Sequence, residues 1–590
     1  MVSTVNSGIN RKPSSSSGLL SWGQYFHSIF VTFSTKIWYL VNVLTFGFLS
    51  ITLFPVFYFM KPVINVVLDI FQRSSLYEPI MDFVTRNRGF FILCFALPLS
   101  FLFDSYFRVR NWYVRKFLST PYLHDQRVIG VQEQVKRWNR DGRKMPMCTA
   151  RPTWMTMSTR NATFKSDCSR ISINLHDILE VDTERELVRC EPLVDMGQLS
   201  AYLTPMGYQL ALMIEMEDLT VGGLLMGVGI EVNSHKHGFL TDTVESYEVV
   251  LGDGSLVRAS RTENADLFHA LPWSHGTLGF LVSVELKIIP SKSHMHLTYI
   301  PCHSQNEIEE KITALTQSPN GPNFVEMTIF TKDTAVIMTG EFDTVDTPEK
   351  KRKENHVNYW WKPWFYKHTE TALTNGTFDE YIPLRHYIHR HTRSIFWELE
   401  DLIPFSNHWT YRYFLGWLGA PKVSFVKLTY TSKIRKEVAF KHVVQDVIVP
   451  MSELKNAINL FDDVFSIYPL LFYTIRVYTK PEGLSGFVRN PKNTLPDTTP
   501  PYEIFFDLGA YGIPPAVKAN KPWDAVNAVR KMEKFTRDVG GYQMMYADNF
   551  MDREEFEEMF DHTLYRKVRE KYNAVGAFPE FWDKVKGGQW

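Results

Sequence analysis

The sequence has few cysteines and no excess of either charge. Five cysteines occur among 590 residues, at positions 94, 148, 168, 190 and 302, and no two form a CxxC pair. A disulfide framework and a zinc site are therefore both disfavoured, and a reduced, cytosol-facing domain fits best. Lys+Arg and Asp+Glu each total 64. Because nucleic-acid binding needs a basic surface, nucleic acid is not an expected partner.

Two common nucleotide-binding signatures are missing as well. No GxxxxGK[ST] sequence occurs, so a nucleotide triphosphatase is disfavoured. Gly227 and Gly229 lack the third glycine of a Rossmann fingerprint, because Val232 stands at that position. A nucleotide site in this chain is therefore expected to be built in another way.

Charged residues are absent from two stretches near the N-terminus. Residues 1–20 are polar and serine-rich, and a disordered N-terminal tail is predicted over 1–36. Residues 37–60 contain no charge and predict a transmembrane helix, since about 20 residues cross a bilayer. A second uncharged run over 89–103, extendable to 107, is short and contains Pro98, so it either crosses the bilayer or lies at its surface. The membrane region is thus placed at 37–114, and the basic residues that follow the second run favour a cytosolic catalytic domain.

Several elements are predicted from periodicity in the region that follows. Val128, Val131, Val135 and Trp138 fall on one face of a helix over 126–140. A hairpin is expected from 178–181 and 187–190, a helix over 196–203, and a second hairpin around the Asp-Gly turn at 253–254. Later, alternation predicts strands at 502–511 and 542–550, and i+4 spacing predicts a helix over 553–572.

A glycine-rich stretch over 217–231 carries the most chemical information. Gly222, Gly223, Gly227 and Gly229 stand within eight positions. Glycines allow a close backbone approach, and exposed amides in such a stretch can bind a pyrophosphate without a basic side chain. Tight packing of helix or strand explains any single glycine equally well, but not all four together.

The order of motifs around this stretch resembles the FAD-binding domain of the vanillyl-alcohol oxidase family. The matching segments are TVGG and GVG at 220–229, HG at 237–238, LGDGSLVRAS at 251–260, ENADLFHAL at 263–271 and GTLGFLV at 276–282. The similarity is closer to the 24-dehydrocholesterol reductase (Diminuto-like) branch of that family. With the further segments 381–387, 546–548 and 553–556, it covers nearly everything after residue 100.

The resemblance implies an α+β fold with a two-subdomain FAD-binding domain over 115–291. It further implies an α+β cap or substrate domain over 292–520, and a C-terminal segment, 521–590, that returns to the flavin. FAD is expected to be non-covalent, because the first loop at 151–154 has no histidine. The residues expected to contact FAD are Arg151, Pro152, Thr153, Trp154, Thr220, Val221, Gly222, Gly223, Leu224, Leu225, Met226, Gly227, Val228, Gly229, Ile230, Glu231, Val232, His235, Gly238, Gly279 and Asp548.

The implied reaction saturates the Δ24 double bond of a sterol side chain, with NADPH as reductant. An isolated trisubstituted alkene is not polarised, so protonation must accompany hydride transfer from the reduced cofactor. The acid is expected to be a Tyr, His or carboxyl group in an apolar pocket. The candidates are Tyr511, Tyr546, His386 and Glu555.

A dense cluster of cationic side chains occurs at 385–393, with three Arg and three His in nine residues. Interleaved arginines disfavour a metal site. An anion site is one interpretation, since Arg binds phosphates or a reduced flavin. The other is a surface paired with Glu398, Glu400 and Asp401.

Other functions stay open from the sequence. An alcohol or aldonolactone oxidase of the same fold is one alternative, and a non-catalytic membrane protein that binds sterol or flavin is another. The resemblance implies the endoplasmic reticulum membrane, or the Golgi, as location, with a sterol and membrane lipid as partners. Homo-oligomers and complexes with other sterol-pathway enzymes are left open.

Overall fold

The computed structural model describes residues 70–71, 73–158, 163–318, 320–429, 441–495 and 498–586. The predicted transmembrane helix at 37–60 lies outside these residues. The chain divides into two compact units, one containing residues 1–77 and 99–117 and the other 78–98 and 118–590. Both helices and sheets are well represented, which confirms the predicted mixture of α and β structure.

One helix among the described residues is long and apolar enough to cross a membrane. It runs over Gly89–Leu118, for 30 residues, so it extends well past the predicted end at 107. Pro98 lies in the first turn of its segment Leu97–Tyr113, directly after a wider π-helical turn at Ile92–Ala96. Proline cannot donate a backbone hydrogen bond inside a helix, and a local π turn is a usual way to accommodate it.

Two smaller sheets form the first half of the larger unit. Strands β1 (Met147–Thr149) and β2 (Ser169–Ile171) pair in parallel. The second sheet contains β3 (Ile178–Asp182), β4 (Leu187–Cys190), β5 (Tyr208–Leu210), β6 (Val244–Val250), β7 (Leu256–Ser260) and β8 (Phe280–Pro290). Its order is β3-β4-β8-β6-β7, with β5 also on β8. Both predicted hairpins are confirmed, as β3 with β4 and β6 with β7.

An eight-stranded sheet forms the second half. Its strands are β9 (His294–Cys302), β10 (Phe324–Thr331), β11 (Thr334–Asp343), β12 (Phe378–Pro383), β13 (Val443–Pro450), β14 (Leu470–Tyr478), β15 (Tyr502–Gly512) and β16 (Tyr542–Gln543). The order is β12-β9-β11-β10-β14-β15-β13-β16, and every neighbouring pair is antiparallel. The predicted strand at 502–511 is thereby confirmed.

The helices cover both sheets. The described α-helices are Tyr77–Arg86, Arg88–Phe91, Leu97–Tyr113, His124–Arg140, Met196–Leu203, Val221–Met226, Ser234–His237, Ala265–Ala270, Gln305–Gln317, Pro348–Arg352, Phe365–Glu370, Ala372–Asn375, Leu384–Ile388, Glu398–Leu402, Trp409–Phe414, Val423–Thr429, Leu454–Val464, Pro515–Lys518, Ala525–Asp538, Arg553–Met559, Thr563–Lys571 and Phe581–Val585. The predicted helices at 126–140 and 196–203 are confirmed, and the four predicted apolar positions of the first are buried.

The two faces of the eight-stranded sheet differ in character. Met327, Phe472 and Phe506 point into one apolar cluster together with residues of Gln305–Gln317 and Leu454–Val464. The opposite face joins the core of the six-stranded sheet. That second face carries Glu326, Tyr473 and Asp507 side by side in the strand register. Polar groups thus line the sheet face that packs toward the six-stranded sheet.

Two predictions near the C-terminus are wrong in extent. The strand predicted at 542–550 pairs only over Tyr542–Gln543, because Met544 then bonds the Asp446 carbonyl and the chain turns, with the Ala547 amide donating to Met544. The helix predicted over 553–572 is two helices. The Asp561 amide donates to the Phe487 carbonyl, and its carboxylate accepts from the Thr563 amide, which starts the second helix.

Candidate active site

A loop at 151–158 is held in place by three cationic side chains. Arg151 donates to Thr220 Oγ1 at 3.0 Å and to the Met155 carbonyl at 3.0 Å. Lys165 donates to the Arg151 carbonyl at 2.6 Å. Lys427 donates to Thr156 Oγ1 at 2.8 Å and to three loop carbonyls. The predicted first loop is therefore surrounded by positive charge, which suits a pyrophosphate.

The glycine-rich stretch is packed more tightly than an open amide nest. It forms the helix Val221–Met226, and the Gly222 amide already donates to the Pro192 carbonyl. A Cβ at Gly222 would lie 2.8 Å from Cβ of Pro192, and one at Gly229 would lie 3.0 Å from Cβ of Leu240. Close packing thus accounts for these two glycines, which corrects the expectation that all four expose amides to a ligand.

Neighbouring loops converge on the same region. The His275 amide donates to the Met226 carbonyl at 2.6 Å, and the Trp273 amide donates to Gly227. Ser158 donates to the Tyr546 carbonyl at 2.8 Å. The C-terminal segment therefore contacts the first loop at the Tyr546 carbonyl. The Asp548 carbonyl lies next to it and accepts from Gln445 at 2.8 Å.

The remaining predicted cofactor residues have structural contacts of their own in the protein core. A Cβ at Gly279 would collide with Cγ1 of Val249, so this glycine is needed for packing of β8 on β6. His235 Nε2 lies 2.9 Å from the Pro322 carbonyl, and burial lowers the pKa of His235 to about 4. Gly238 has a φ of +77°, which favours glycine. The Val232 carbonyl accepts from Val325 and so joins this stretch to β10.

A buried phenol and carboxyl pair lies on the polar face of the large sheet. Tyr511 on β15 donates to both oxygens of Asp446 on β13, at 2.8 and 2.9 Å. A Cβ at Gly509 would collide with the Asp446 carboxyl and lie 2.9 Å from the Tyr511 oxygen, so glycine there makes room for the pair. Burial raises the pKa of Asp446 to about 7, against the lowering effect of the Tyr511 hydrogen bond.

More buried carboxyls surround one arginine next to this pair. Arg390 Nη2 lies 2.5 Å from Glu326, 3.7 Å from Glu215 and 3.8 Å from Glu231. Tyr473 donates to Glu215 at 2.8 Å. Burial raises the pKa of Glu215 to about 7, against the lowering effects of the Arg390 charge and the Tyr473 hydrogen bond.

Two of the four predicted acids do not join this network. His386 has its ring beside His356 and Tyr359, at centroid distances of 5.3 and 5.6 Å, and burial lowers its pKa to about 4. Glu555 forms a capping box with Asp552 and ion pairs with Arg530 and Arg537. These contacts give Glu555 a helix-capping role, whereas Tyr511 and Tyr546 stand at the converging loops and strands.

The cationic cluster at 385–393 is, as a whole, neither an anion site nor a surface paired with residues 398–401, the two interpretations drawn from the sequence. Arg390 is buried on carboxylates, and Arg393 donates to the backbone carbonyls of Val357, Trp360 and Lys362. Arg385 lies 3.6 Å from Glu217. Within the part of the chain that the structure describes, no ion pair joins these arginines to residues 398–401. Arg390 and Arg393 are therefore bound to internal acceptors, whereas Arg385 lies at the surface.

Asp446, Asp507 and Glu326 were not predicted, although each left a trace in the sequence. Each is an acid inside a mostly apolar part of a strand, as in VVQDVIVP, IFFDLGAY and FVEMTIF. A carboxyl that interrupts a buried strand is costly unless it has a partner or a function. An acid within an apolar strand is therefore a signal by which these residues can be found from the sequence.

The donor set fits an FAD molecule. Arg151, Lys165 and Lys427 supply positive charge around one loop, where a pyrophosphate is expected. Buried polar atoms without a hydrogen-bond partner among the described residues include Glu231 Oε1, His391 Nδ1 and Asp507 Oδ1. Such atoms suit the polar edge of a flavin ring, which carries both N–H and C=O groups.

These features define a flavoprotein built on an FAD-binding domain. The family described as FAD binding domain matches residues 133–260. The human Delta(24)-sterol reductase is 46% identical over 507 residues, which cover 86% of this chain and 95% of the human protein. The Delta(24)-sterol reductase homolog of Caenorhabditis elegans is 39% identical over 535 residues, covering 88% and 99%. The Arabidopsis thaliana Delta(24)-sterol reductase is 37% identical over 530 residues, covering 86% and 93%. The chain belongs to the Delta(24)-sterol reductase family, which confirms the resemblance seen in the motifs.

Proposed function

We propose that this chain is an FAD-dependent reductase that saturates the Δ24 double bond of a sterol side chain, with NADPH as the reductant. The family relationship supports the substrate class. The observation that carries the chemistry is the buried Tyr511–Asp446 pair, because the reaction needs a proton donor in a dry site. An oxidase of the same fold removes hydrogen from its substrate and so does not need a proton donor to the substrate.

Two groups of residues have different roles: one holds the cofactor and the other delivers a proton. Arg151 and the loop it supports hold the pyrophosphate, and FAD, when bound, supplies the hydride after reduction by NADPH. Tyr511 holds the proton at its hydroxyl oxygen. Tyr511 donates to the Asp446 carboxyl at 2.9 Å. A neutral Asp446 can instead donate across this distance to the Tyr511 oxygen, which leaves the Tyr511 proton free to turn toward the alkene. Protonation at the less substituted carbon leaves a tertiary cation, which nearby aromatic rings stabilise.

The domain boundaries stand as part of the proposal. The six-stranded sheet ends with β8 at Pro290 and the eight-stranded sheet begins with β9 at His294, which supports a two-subdomain FAD-binding domain over 115–291 and a cap over 292–520. Residues 521–590 return to the site, since β16 pairs with β13 and the Ala577 carbonyl accepts from Met147. The apolar helix Gly89–Leu118 supports a membrane location. The endoplasmic reticulum as that membrane, and the cytosol as the side of the catalytic domain, are part of the proposal.

The test uses the full chain in detergent or nanodiscs under anaerobic conditions. We expect a flavin absorbance band at about 450 nm, and we expect NADPH to bleach it. Addition of desmosterol, a Δ24-unsaturated sterol, should restore the band. Absence of a flavin band would remove the FAD assignment. A flavin that NADPH leaves unchanged, but that an alcohol or aldonolactone reduces, would replace the reductase by the oxidase.

A further inference from the structure

The segment 402–421 presents aromatic rings and almost no charge. Arg412 is its only Lys, Arg, Asp or Glu residue. The guanidinium of Arg412 is turned inward, donating to Asn407 O at 2.8 Å and Trp361 O at 2.6 Å. The exposed side chains, with their exposed fractions, are Phe405 (54%), Trp409 (58%), Tyr413 (58%) and Phe414 (71%). We call these four side chains the aromatic platform.

The platform is organised as a surface. Trp409 and Tyr413 are four residues apart on the helix Trp409–Phe414, so their rings lie on one side of it. Tyr411, on the other side of that helix, is buried. Soluble proteins seldom expose large apolar side chains together without a partner. Trp and Tyr prefer the boundary between lipid and water, where a ring is half immersed.

The start of the apolar helix lies beside the platform in the same compact unit. A Cβ at Gly89 would lie 3.7 Å from the Leu402 carbonyl. Ile92, Leu93 and Leu402 pack against the same core cluster. Phe90 and Phe95 are 61% and 55% exposed. A helix that enters a bilayer begins at the bilayer surface, and one that lies along the bilayer is there throughout. Either arrangement of this helix would bring the segment 402–421 close to the bilayer surface.

The segments that precede and follow the platform in sequence both contact the candidate active site. Before it, Trp397 Nε1 donates to the Tyr511 carbonyl at 2.7 Å, and the Phe396 ring lies 5.1 Å from the Tyr511 ring. After it, Lys427 holds the loop at 151–158. Residues that contact the proton pair and the cofactor loop thus flank the exposed rings.

We propose that the aromatic platform rests on a lipid bilayer and that an apolar substrate passes from the bilayer to the site beneath it. The contact with lipid stands on the exposed rings and their place beside Gly89. The passage of substrate rests also on the proposed function. A sterol dissolves in lipid far better than in water, so an entrance at the bilayer surface spares it a transfer through solvent.

The contact is tested with the full chain in phosphatidylcholine nanodiscs. Trp409→Cys is labelled with an environment-sensitive fluorophore and quenched by spin-labelled lipids. Val575→Cys is the matched control, since Val575 and Trp409 are both 58% exposed. A Cys94→Ser background removes the one described cysteine that is exposed. We expect quenching to be about threefold stronger at 409 than at 575, and Phe414→Cys repeats the measurement at a second site. Equal quenching at all three positions would overturn the contact.

The passage is tested with a Trp409→Ser, Phe414→Ser double variant. For sterol supplied in vesicles we expect KM to rise about tenfold with kcat unchanged, because burial of two large rings is lost. For sterol supplied in detergent the difference should shrink, and NADPH should bleach the flavin at the wild-type rate. An unchanged KM in vesicles would overturn the passage. Failure of the unsubstituted protein to reduce sterol would instead overturn the proposed function, with the quenching result unaffected.

Discussion

At the scale of single residues, Tyr511 and Asp446 make a testable proton-delivery pair. Tyr511→Phe and Asp446→Asn should lower sterol turnover about 100-fold, the usual size for loss of a general acid. NADPH should still bleach the flavin, because neither side chain holds the cofactor loop. Tyr247→Phe is the matched control, since Tyr247 is a buried tyrosine whose hydroxyl has no hydrogen-bond partner among the described residues. Wild-type turnover in Tyr511→Phe would remove the pair from the mechanism.

The same pair predicts a pH dependence. Burial raises the pKa of Asp446 to about 7, so the neutral carboxyl predominates below that pH and is lost above it. Turnover should therefore fall as pH rises through about 7. In Asp446→Asn the remaining turnover should lose this step, because an amide does not titrate. A wild-type profile that is flat from about pH 6 to 8 would speak against a neutral Asp446.

A different residue pair predicts how stability depends on pH. His124 Nδ1 lies 2.7 Å from Glu191 in a buried site. Burial lowers the pKa of His124, but the hydrogen bonds to Glu191 and Glu248 prevail and raise it from 6.5 to about 9. A raised folded pKa gives stability that is complete below about pH 6.5 and is lost as pH rises through 9.

Thermal unfolding between pH 6 and 10 measures this effect. The unfolding temperature should fall over that window in the wild type, and the fall should be smaller in His124→Gln. At pH 6 the variant should be less stable by about 2 kcal/mol, as for other hydrogen bonds between charged groups. A wild type and a variant with parallel pH curves would assign the pH effect to other groups.

Residue-scale contacts were only partly predictable. Tyr511 and Tyr546 were both candidate acids. The Tyr511 hydroxyl bonds Asp446, and the Tyr546 carbonyl accepts from Ser158 in the first loop. Asp446 is far from Tyr511 in sequence, at a separation of 65 residues, and only strand pairing brings the two together. Glu555 caps a helix instead, because it is the third residue of the helix Arg553–Met559 and its carboxylate accepts from the Asp552 amide at the start of that helix.

At the scale of elements, glycine contacts decide whether strands can pack. A Cβ at Gly279 would collide with Val249 and lie 3.0 Å from the Val250 carbonyl. Gly279→Ala should cost about 2 kcal/mol, because a β-branched neighbour and a backbone atom both resist movement. Gly130→Ala is the control. Gly130 lies in the helix His124–Arg140 with nothing within 4 Å of a Cβ, so alanine should stabilise by about 0.5 kcal/mol.

Denaturant unfolding of both variants checks this prediction. Equal effects of the two substitutions would show that the β6–β8 contact tolerates a methyl group. The comparison also controls for the loss of glycine itself, since both changes remove the same backbone freedom from the unfolded chain.

Elements with local signals were predicted well, and those set by tertiary contacts were not. The two hairpins and the helix His124–Arg140 follow from turn residues and periodicity, which depend on neighbours in sequence. The strand predicted at 542–550 stops after Gln543, because the Met544 amide makes a last bond to the Asp446 carbonyl and the chain then turns. Hydrophobic alternation alone does not reveal how much of a strand finds a partner.

At the scale of the whole molecule, Arg390 joins the two halves of the larger unit. Its guanidinium contacts Glu326 on β10 and lies near Glu215 and Glu231, which precede the large sheet. Arg390→Met should destabilise the protein by about 4 kcal/mol, because it leaves buried carboxyls without a cation. Thermal unfolding in detergent measures the change.

Arg385→Met is the matched control for this substitution. Arg385 is partly exposed and lies 3.6 Å from Glu217, so its loss should cost less than about 1 kcal/mol. Similar losses for both variants would mean that the buried carboxyls are neutralised by protonation alone. In that case the raised pKa of Glu215 would be the dominant compensation.

The space at Gly509 has a consequence for how this family varies over time. A side chain at 509 and a carboxyl at 446 compete for the same volume, so a lineage that keeps the acid cannot accept any residue but glycine opposite it. A descendant that dispenses with the acid is released from that restriction. Substitution of Asp446 should therefore precede or accompany substitution of Gly509. A relative with a bulky residue at position 509 should not reduce desmosterol.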